Sequence, residues 1–241
     1  MSAEPKAAAD ASKKARPDEP VKFVEKLNDF LRNNRKAFLI GSLVVAVSVV
    51  TIGIVSAVAH QRLVKSTAAL EAAEAGFDEW IAMETGDAKT AAADALLADA
   101  EDISARYRGS YADLRASVIK ARVLYERKDY AGSEAAYASI AETAPESHLA
   151  PISLMNAAAM AEERGDPAAA QAHMAKALER YPDAPGTGRT LFSLGRVLEG
   201  MKSYGEAMEY YGRLVATGED SDWTKLARDR IIFLKSAGLA Q

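Results

Sequence analysis

GRTLFSLGRVLEGMKSYGEAMEYYGRL, residues 188–214, holds two short helical patterns separated by the turn Lys202-Ser203-Tyr204. Moving back 37 residues reaches Gly165-Asp166-Pro167, and a second step of 37 reaches Lys128-Asp129-Tyr130. The same shift carries Tyr137 to Met174 to Tyr211, Ala121 to Ala158 to Gly195, and Pro145 to Pro182. Small residues recur where two helices must approach closely, and large apolar ones recur where a knob must fill the gap. Two antiparallel helices of this length cannot bury an apolar face alone, so neighbouring pairs must stack into a solenoid. Gly and Pro are scarce within the segments, helix formers such as Ala, Leu, Glu, Arg and Met dominate, and alternating β-branched runs are absent. The predicted fold is all-α.

These residues resemble the tetratricopeptide repeat. In that family's 34-residue frame the third copy (188–221) carries Leu191, Leu194-Gly195, Leu198, Tyr204, Ala207, Tyr211 and Leu214 at the motif's positions. The second (151–184) carries Leu154, Ala157-Ala158, Ala161, Gly165-Asp166, Ala170, Met174, Ala177 and Pro182. The first (114–147) carries Ala121, Leu124, Asp129-Tyr130, Ser133, Tyr137, Ile140 and Pro145. Ser117 and Lys120 stand where the first copy should be large and apolar, and Glu219 replaces a closing proline. The three extra residues per period are expected in longer connections between repeats. Residues 60–109 read as a degenerate hairpin, one helix over Arg62–Met83, a break at Thr85-Gly86-Asp87, and an Ala-rich helix over Ala88–Tyr107. Ser221-Asp222 is expected to cap a last helix from Trp223 to about Ser236, with Trp223, Leu226, Ala227, Ile231 and Leu234 closing the final repeat against water.

Working outward, Ala37 to Ala59 (AFLIGSLVVAVSVVTIGIVSAVA) holds 23 residues without a charge. As a helix it is roughly 34 Å long, enough for a hydrocarbon core of about 30 Å. A secretory signal is the alternative, since Ala57-Val58-Ala59 has a small-x-small pattern. Its apolar core would be shorter, however, and 36 residues precede it here. An uncleaved membrane anchor is therefore expected. Residues 1–20 show no apolar period and are expected to be disordered. Over 21–36, Phe23, Leu27, Phe30 and Leu31 share a helical face flanked by Lys22, Lys26, Arg32, Arg35 and Lys36. This reads as a basic amphipathic helix on the inner leaflet or as an extension of the span. The basic excess before the span places the N-terminus in the cytoplasm and the C-terminal body across the inner membrane, in the periplasm of a double-membraned bacterium. Small residues of the span (Gly41, Ser42, Ser48, Gly53) permit self-association.

The chain carries a net charge of −4, and the body from Ala59 onward is acidic. That argues against nucleic-acid binding, which relies on basic side chains neutralising phosphates. There is no cysteine, which excludes disulfides and thiolate chemistry. His60, His148 and His173 have no ligand-like spacing, and Glu162-Glu163 lacks a histidine motif, so no metal, cofactor or catalytic set is expected. Gly186-Thr187-Gly188-Arg189-Thr190 lacks the lysine and preceding strand of a phosphate loop and reads as a turn between repeats. An enzyme is not expected.

The resemblance implies a groove lined by the first helix of each pair. Carried over, it points to Arg115, Val118, Arg122 and Tyr125, to Ile152, Met155, Asn156 and Ala159, and to Arg189, Phe192 and Arg196. Ordinary solvated helix faces are the alternative. Asn156 and Arg189 fall where some family members clamp a carboxylate, whereas Val118, Arg122 and Ser193 do not match. A basic lead (FLRNNRK), one span, a continuing helix and a repeat domain are similar in layout to the ancillary subunit of the bacterial Sec translocon. This implies partners among translocon subunits, periplasmic chaperones or exported chains. Tyr181-Pro182-Asp183-Ala184-Pro185 and Ser221-Asp222-Trp223 are also similar to repeat proteins of cell division and outer-membrane assembly, most of which lack an uncleaved span.

Overall fold

A computed structural model describes residues 18–240, with side chains from residue 24. The described residues form helices without strands. They are α1 (Asp18–Asn33), α2 (Arg35–Ala82), α3 (Asp87–Arg106), α4 (Tyr111–Glu126), α5 (Tyr130–Thr143), α6 (Leu149–Glu163), α7 (Pro167–Arg180), α8 (Thr187–Gly200), α9 (Tyr204–Ala216) and α10 (Asp222–Ser236). The chain divides into two units, residues 1–61 and 62–241.

In the first unit α1 begins at Asp18, inside the stretch expected to lack structure, and the rest of that stretch lies outside the described residues. Pro20 sits in its first turn, where a backbone N–H has no partner in any case. Asn34 separates α1 from α2, yet its N–H donates to Phe30 O at 2.9 Å and its O accepts from Phe38 N at 2.9 Å. The helical bonding therefore runs on through this position. Every residue from Ala37 to Ala59 is exposed, in a helix long and apolar enough to cross a membrane.

The second unit is built from stacked helix pairs. The 37-residue register reappears as one repeated turn. Lys128, Gly165 and Lys202 have φ of 61°, 78° and 64°. Their N–H groups donate to Tyr125 O (2.8 Å), Glu162 O (2.9 Å) and Glu199 O (2.9 Å). The next N–H groups, of Asp129, Asp166 and Ser203, reach back five residues to Leu124 O (2.9 Å), Ala161 O (2.8 Å) and Leu198 O (2.9 Å). This pair of bonds closes a helix through one left-handed residue. Asp129 Oδ1 and Asp166 Oδ1 then accept from Gly132 N (2.9 Å) and Ala169 N (3.0 Å), capping α5 and α7, whereas Ser203 starts α9 without a side-chain cap. A lysine carries a Cβ penalty in this conformation that glycine escapes. Lys202→Gly is therefore expected to raise the unfolding free energy by about 0.5–1 kcal/mol, read as a higher urea midpoint. An unchanged or lower midpoint would refute the strain.

The connections between pairs, residues 144–148 and 181–186, are longer than those within pairs, as the extended period required. Between them Ala121, Ala158 and Gly195 occupy the close contacts with no measurable exposure for the two alanines. Gly195 faces the ring of Tyr211, where a Cβ would lie 2.6 Å from Cε1. Gly186, with φ 96°, starts α8 as a turn between repeats, and Thr187 Oγ1 donates back to Ala184 O at 2.8 Å.

The part of α2 beyond Arg62 belongs to this unit. Leu70, Ala73, Phe77 and Trp80 are buried with Ala93, Leu96, Ile103, Ile119 and Val123. Trp80 Nε1 donates to Lys89 O at 2.9 Å, tying α2 to α3. Ser117 is half-buried, and Lys120 reaches out to Glu101 at 2.7 Å, so an ion pair with α3 stands where the repeat pattern wanted apolar packing. At the other end Ser221 Oγ accepts from Thr224 N at 3.2 Å and caps α10. The expected cap is rotated, however. Thr224, Ala227 and Leu234 are buried and Ile231 packs beside them, while Trp223 and Leu226 stay 38% and 43% exposed. A residue next to a buried one lies about 100° around a helix. The stripe that docks on α8 and α9 therefore turns Trp223 and Leu226 away from the core.

Candidate protein-binding face

The eleven side chains expected to line a groove divide by what they touch. Arg115 donates to Glu74 of α2 through Nε (3.0 Å) and Nη2 (2.6 Å). The Arg122 guanidinium lies 4.2 Å from the centre of the Phe77 ring. Both are engaged by the chain's own α2, which carries their partners. Val118 packs against the cluster around Leu114 and Tyr137. Tyr125 is exposed with its ring 6.0 Å from that of Tyr130.

The later repeats stand differently. Ile152, Met155, Asn156 and Ala159 of α6 meet Arg189 of α8 around a partly open cavity of about 150 Å³ that Leu178 and Tyr181 also line. Phe192, one turn after Arg189, has its ring centre 5.6 Å from that of Trp223 of α10. Ile152 is half exposed. Among the described residues Arg189 makes no ion pair. Trp223 and Leu226 thus extend the face onto α10. A sequence reading that assigned α10 to closing the solenoid could not include them.

At the other end of the same helices the charges are internally matched. Arg196 Nη2 donates to Glu162 Oε1 (2.8 Å) and Oε2 (2.6 Å) across α6 and α8. Arg230 bridges to Glu199 across α8 and α10, with Nε to Oε2 at 3.1 Å. Tyr211 OH donates to Glu199 as well, at 3.1 Å. Burial first, and then that carboxylate, push the Tyr211 phenol well above its ordinary pKa. On the second helices Glu134 receives Arg164 (2.9 Å) and contacts His173 (3.0 Å). Glu142 pairs with Lys176, whose hydrogen bond holds the carboxyl below the usual range. Glu162 and His173, which carry no metal or catalytic role in the sequence reading, are therefore ties between successive repeats. No group of three His, Asp or Glu side chains able to hold a metal occurs among the described residues.

The stacked pairs and an exposed apolar face with an unpaired cation define a helical-repeat module suited to holding other proteins. The family model of the tetratricopeptide repeat matches residues 149–220, which run from the start of α6 past the end of α9. A TPR repeat-containing protein of Treponema pallidum (strain Nichols) is similar to the chain, 30% identical over 154 residues. The match covers 64% of this chain and 64% of that relative.

Proposed function

We propose that this protein is a membrane-anchored scaffold of the bacterial envelope, whose repeats recruit other proteins beside the Sec translocation channel. It would link that channel to periplasmic chaperones or exported chains. The recruiting role rests on one observation above the others, the face where Arg189 and Trp223 stand exposed, with the half-buried Phe192 ring against Trp223, beside a small cavity of mixed lining. Aromatic and arginine side chains in such settings supply most of the energy of protein interfaces.

The anchor is supported by the exposed apolar run within α2, because water does not tolerate a continuous apolar surface of that length. Lys26, Arg32, Arg35 and Lys36 ahead of it favour a cytoplasmic N-terminus. The place beside the channel rests on likeness of layout to the translocon's ancillary subunit. Purification from native membranes in mild detergent, with chemical crosslinking and mass spectrometry, tests this. Channel subunits and chaperones crosslinked to residues 62–80 or to the α6–α8 face are the expected result. Division or outer-membrane assembly proteins without the channel would refute the translocon role. A body digested only after lysis, and not in spheroplasts, would invert the orientation.

A further inference from the structure

The acidic body has one basic end. Arg62 and Lys65 of α2 are exposed there, and so are Arg106 and Arg108 of the turn between α3 and α4. Arg62 Nη2 donates to Arg106 O and to Arg108 O, each at 3.4 Å, and so ties that turn to α2. The acids packed around this end are engaged elsewhere. Asp102 accepts from Arg106 at 2.7 Å, Glu101 from Lys120 at 2.7 Å, and Glu74 from Arg115 at 2.6 Å. Asp113 is buried and accepts the Gly109 N–H at 2.8 Å. Glu71 follows Arg62 only after about 13 Å of helix. Arg62, Lys65 and Arg108 make no ion pair among the described residues.

The same end also exposes apolar surface. Leu63 and Val64 are 61% and 54% open, and Tyr111, which begins α4 after the turn, is 59% open. Arg62 stands three residues after Ala59, the last of the apolar run, in one helix, a rise of about 4.5 Å. A bilayer of about 40–45 Å around a core of about 30 Å leaves an interfacial layer of about 5–8 Å on each side. With the run across the core, Arg62 falls within that layer, and the turn it ties comes with it.

We propose that this end of the folded body docks on the bilayer surface. Arg62, Lys65 and Arg108 meet the phosphates of anionic lipids, while Leu63, Val64 and Tyr111 enter the interface. Cations, tyrosine and aliphatic side chains together are the composition that this layer accepts. Lipid is also the partner that the covalent chain itself brings to these residues. The proposal rests on the membrane-anchor reading and goes beyond it, because the second lipid contact is made by the repeat body rather than by the apolar run.

The chain has no cysteine, so a single one can carry a probe. Ala105→Cys, exposed near the end of α3, is labelled with bimane, and Thr85→Cys, exposed at the opposite end of the α2–α3 hairpin, is the control. The full chain is placed in nanodiscs of phosphatidylcholine, with or without phosphatidylglycerol, that contain a lipid bearing a headgroup nitroxide. Strong quenching at position 105 with phosphatidylglycerol, weak quenching without it, and none at position 85 are the expected results. High salt should release the label at 105. Arg62 is left in place because it also ties the turn. Lys65→Gln combined with Arg108→Gln breaks no ion pair. It is expected to lower the docked-to-free ratio read from the quenching by about tenfold or more, with helicity unchanged by circular dichroism.

Equal quenching in the two lipids, no quenching at 105, or quenching unmoved by the double variant would overturn the proposal. If the chain resists alkaline carbonate in native membranes while position 105 stays unquenched, the anchor stands and the docking falls. Extraction of the chain by carbonate would remove the anchor reading, and this proposal with it.

Discussion

Tyr211→Ala is expected to cost about 3–5 kcal/mol, the loss typical of deleting a large buried aromatic side chain, and to lower the urea midpoint accordingly. The ring is completely buried among Leu194, Leu198 and Leu214, packs 5.6 Å from Phe192, and its hydroxyl reaches Glu199. Tyr211→Phe removes only that hydroxyl bond, while Glu199 keeps Arg230, so it should cost about 0.5–1.5 kcal/mol. Equal losses for the two variants would show that the ring is not the knob of this repeat.

The complementary hole is Gly195. A methyl there would lie 2.6–2.9 Å from three atoms of the Tyr211 ring. Neither side can give way, since the ring is enclosed and its hydroxyl is tethered. Gly195→Ala should therefore destabilise by about 1–3 kcal/mol, despite alanine's better helix propensity. In the Tyr211→Ala background the same methyl enters an empty space and its cost should disappear. A coupling of about 1–3 kcal/mol across this double-mutant cycle is the expected reading, and strict additivity would refute the contact.

The same two residues show why so much of the repeat was legible. Tyr211 aligns with Met174 and Tyr137, Gly195 with Ala158 and Ala121, and all are buried as a fixed 37-residue shift requires. Packing that repeats leaves a repeating trace. Contacts made once leave none. Arg115 and Arg122 looked like free groove cations because their partners, Glu74 and Phe77, lie in a helix outside the repeat pattern. The burial of Thr224 in place of Trp223 depends on how α10 docks on its neighbours, and an amphipathic pattern alone leaves that rotation open by one residue. The ties of Glu162 to Arg196 and of Glu134 to His173 span 34 and 39 residues, so they join successive repeats rather than one helix face. Glu162 and Glu199 are one period apart, and that recurrence was the available clue.

Where the chain is cut should matter most within α2. A fragment of residues 62–241 is expected to fold and to stay in aqueous buffer without detergent, because it keeps its core and loses the exposed apolar run. A fragment of 84–241 removes Leu70, Ala73, Phe77 and Trp80 from the cluster they share with α3 and α4. Burying each large side chain contributes about 1.5–3 kcal/mol. Loss of Leu70, Phe77 and Trp80 together therefore amounts to a substantial part of the roughly 5–15 kcal/mol that holds a whole domain. Glu74 also leaves, freeing Arg115. The damage should stay local, since α8, α9 and α10 close their own cluster around Leu194, Tyr211 and Leu234 and repeat stability is carried by neighbours. Amide hydrogen exchange should show α3 and α4 unprotected in the shorter fragment, with α8 and α9 still protected. Equal protection of α3 and α4 in both fragments would mean that the first pair stands without α2. The 48 residues of α2 would then serve the apolar run alone, and the burial of Phe77 and Trp80 would be incidental to the fold.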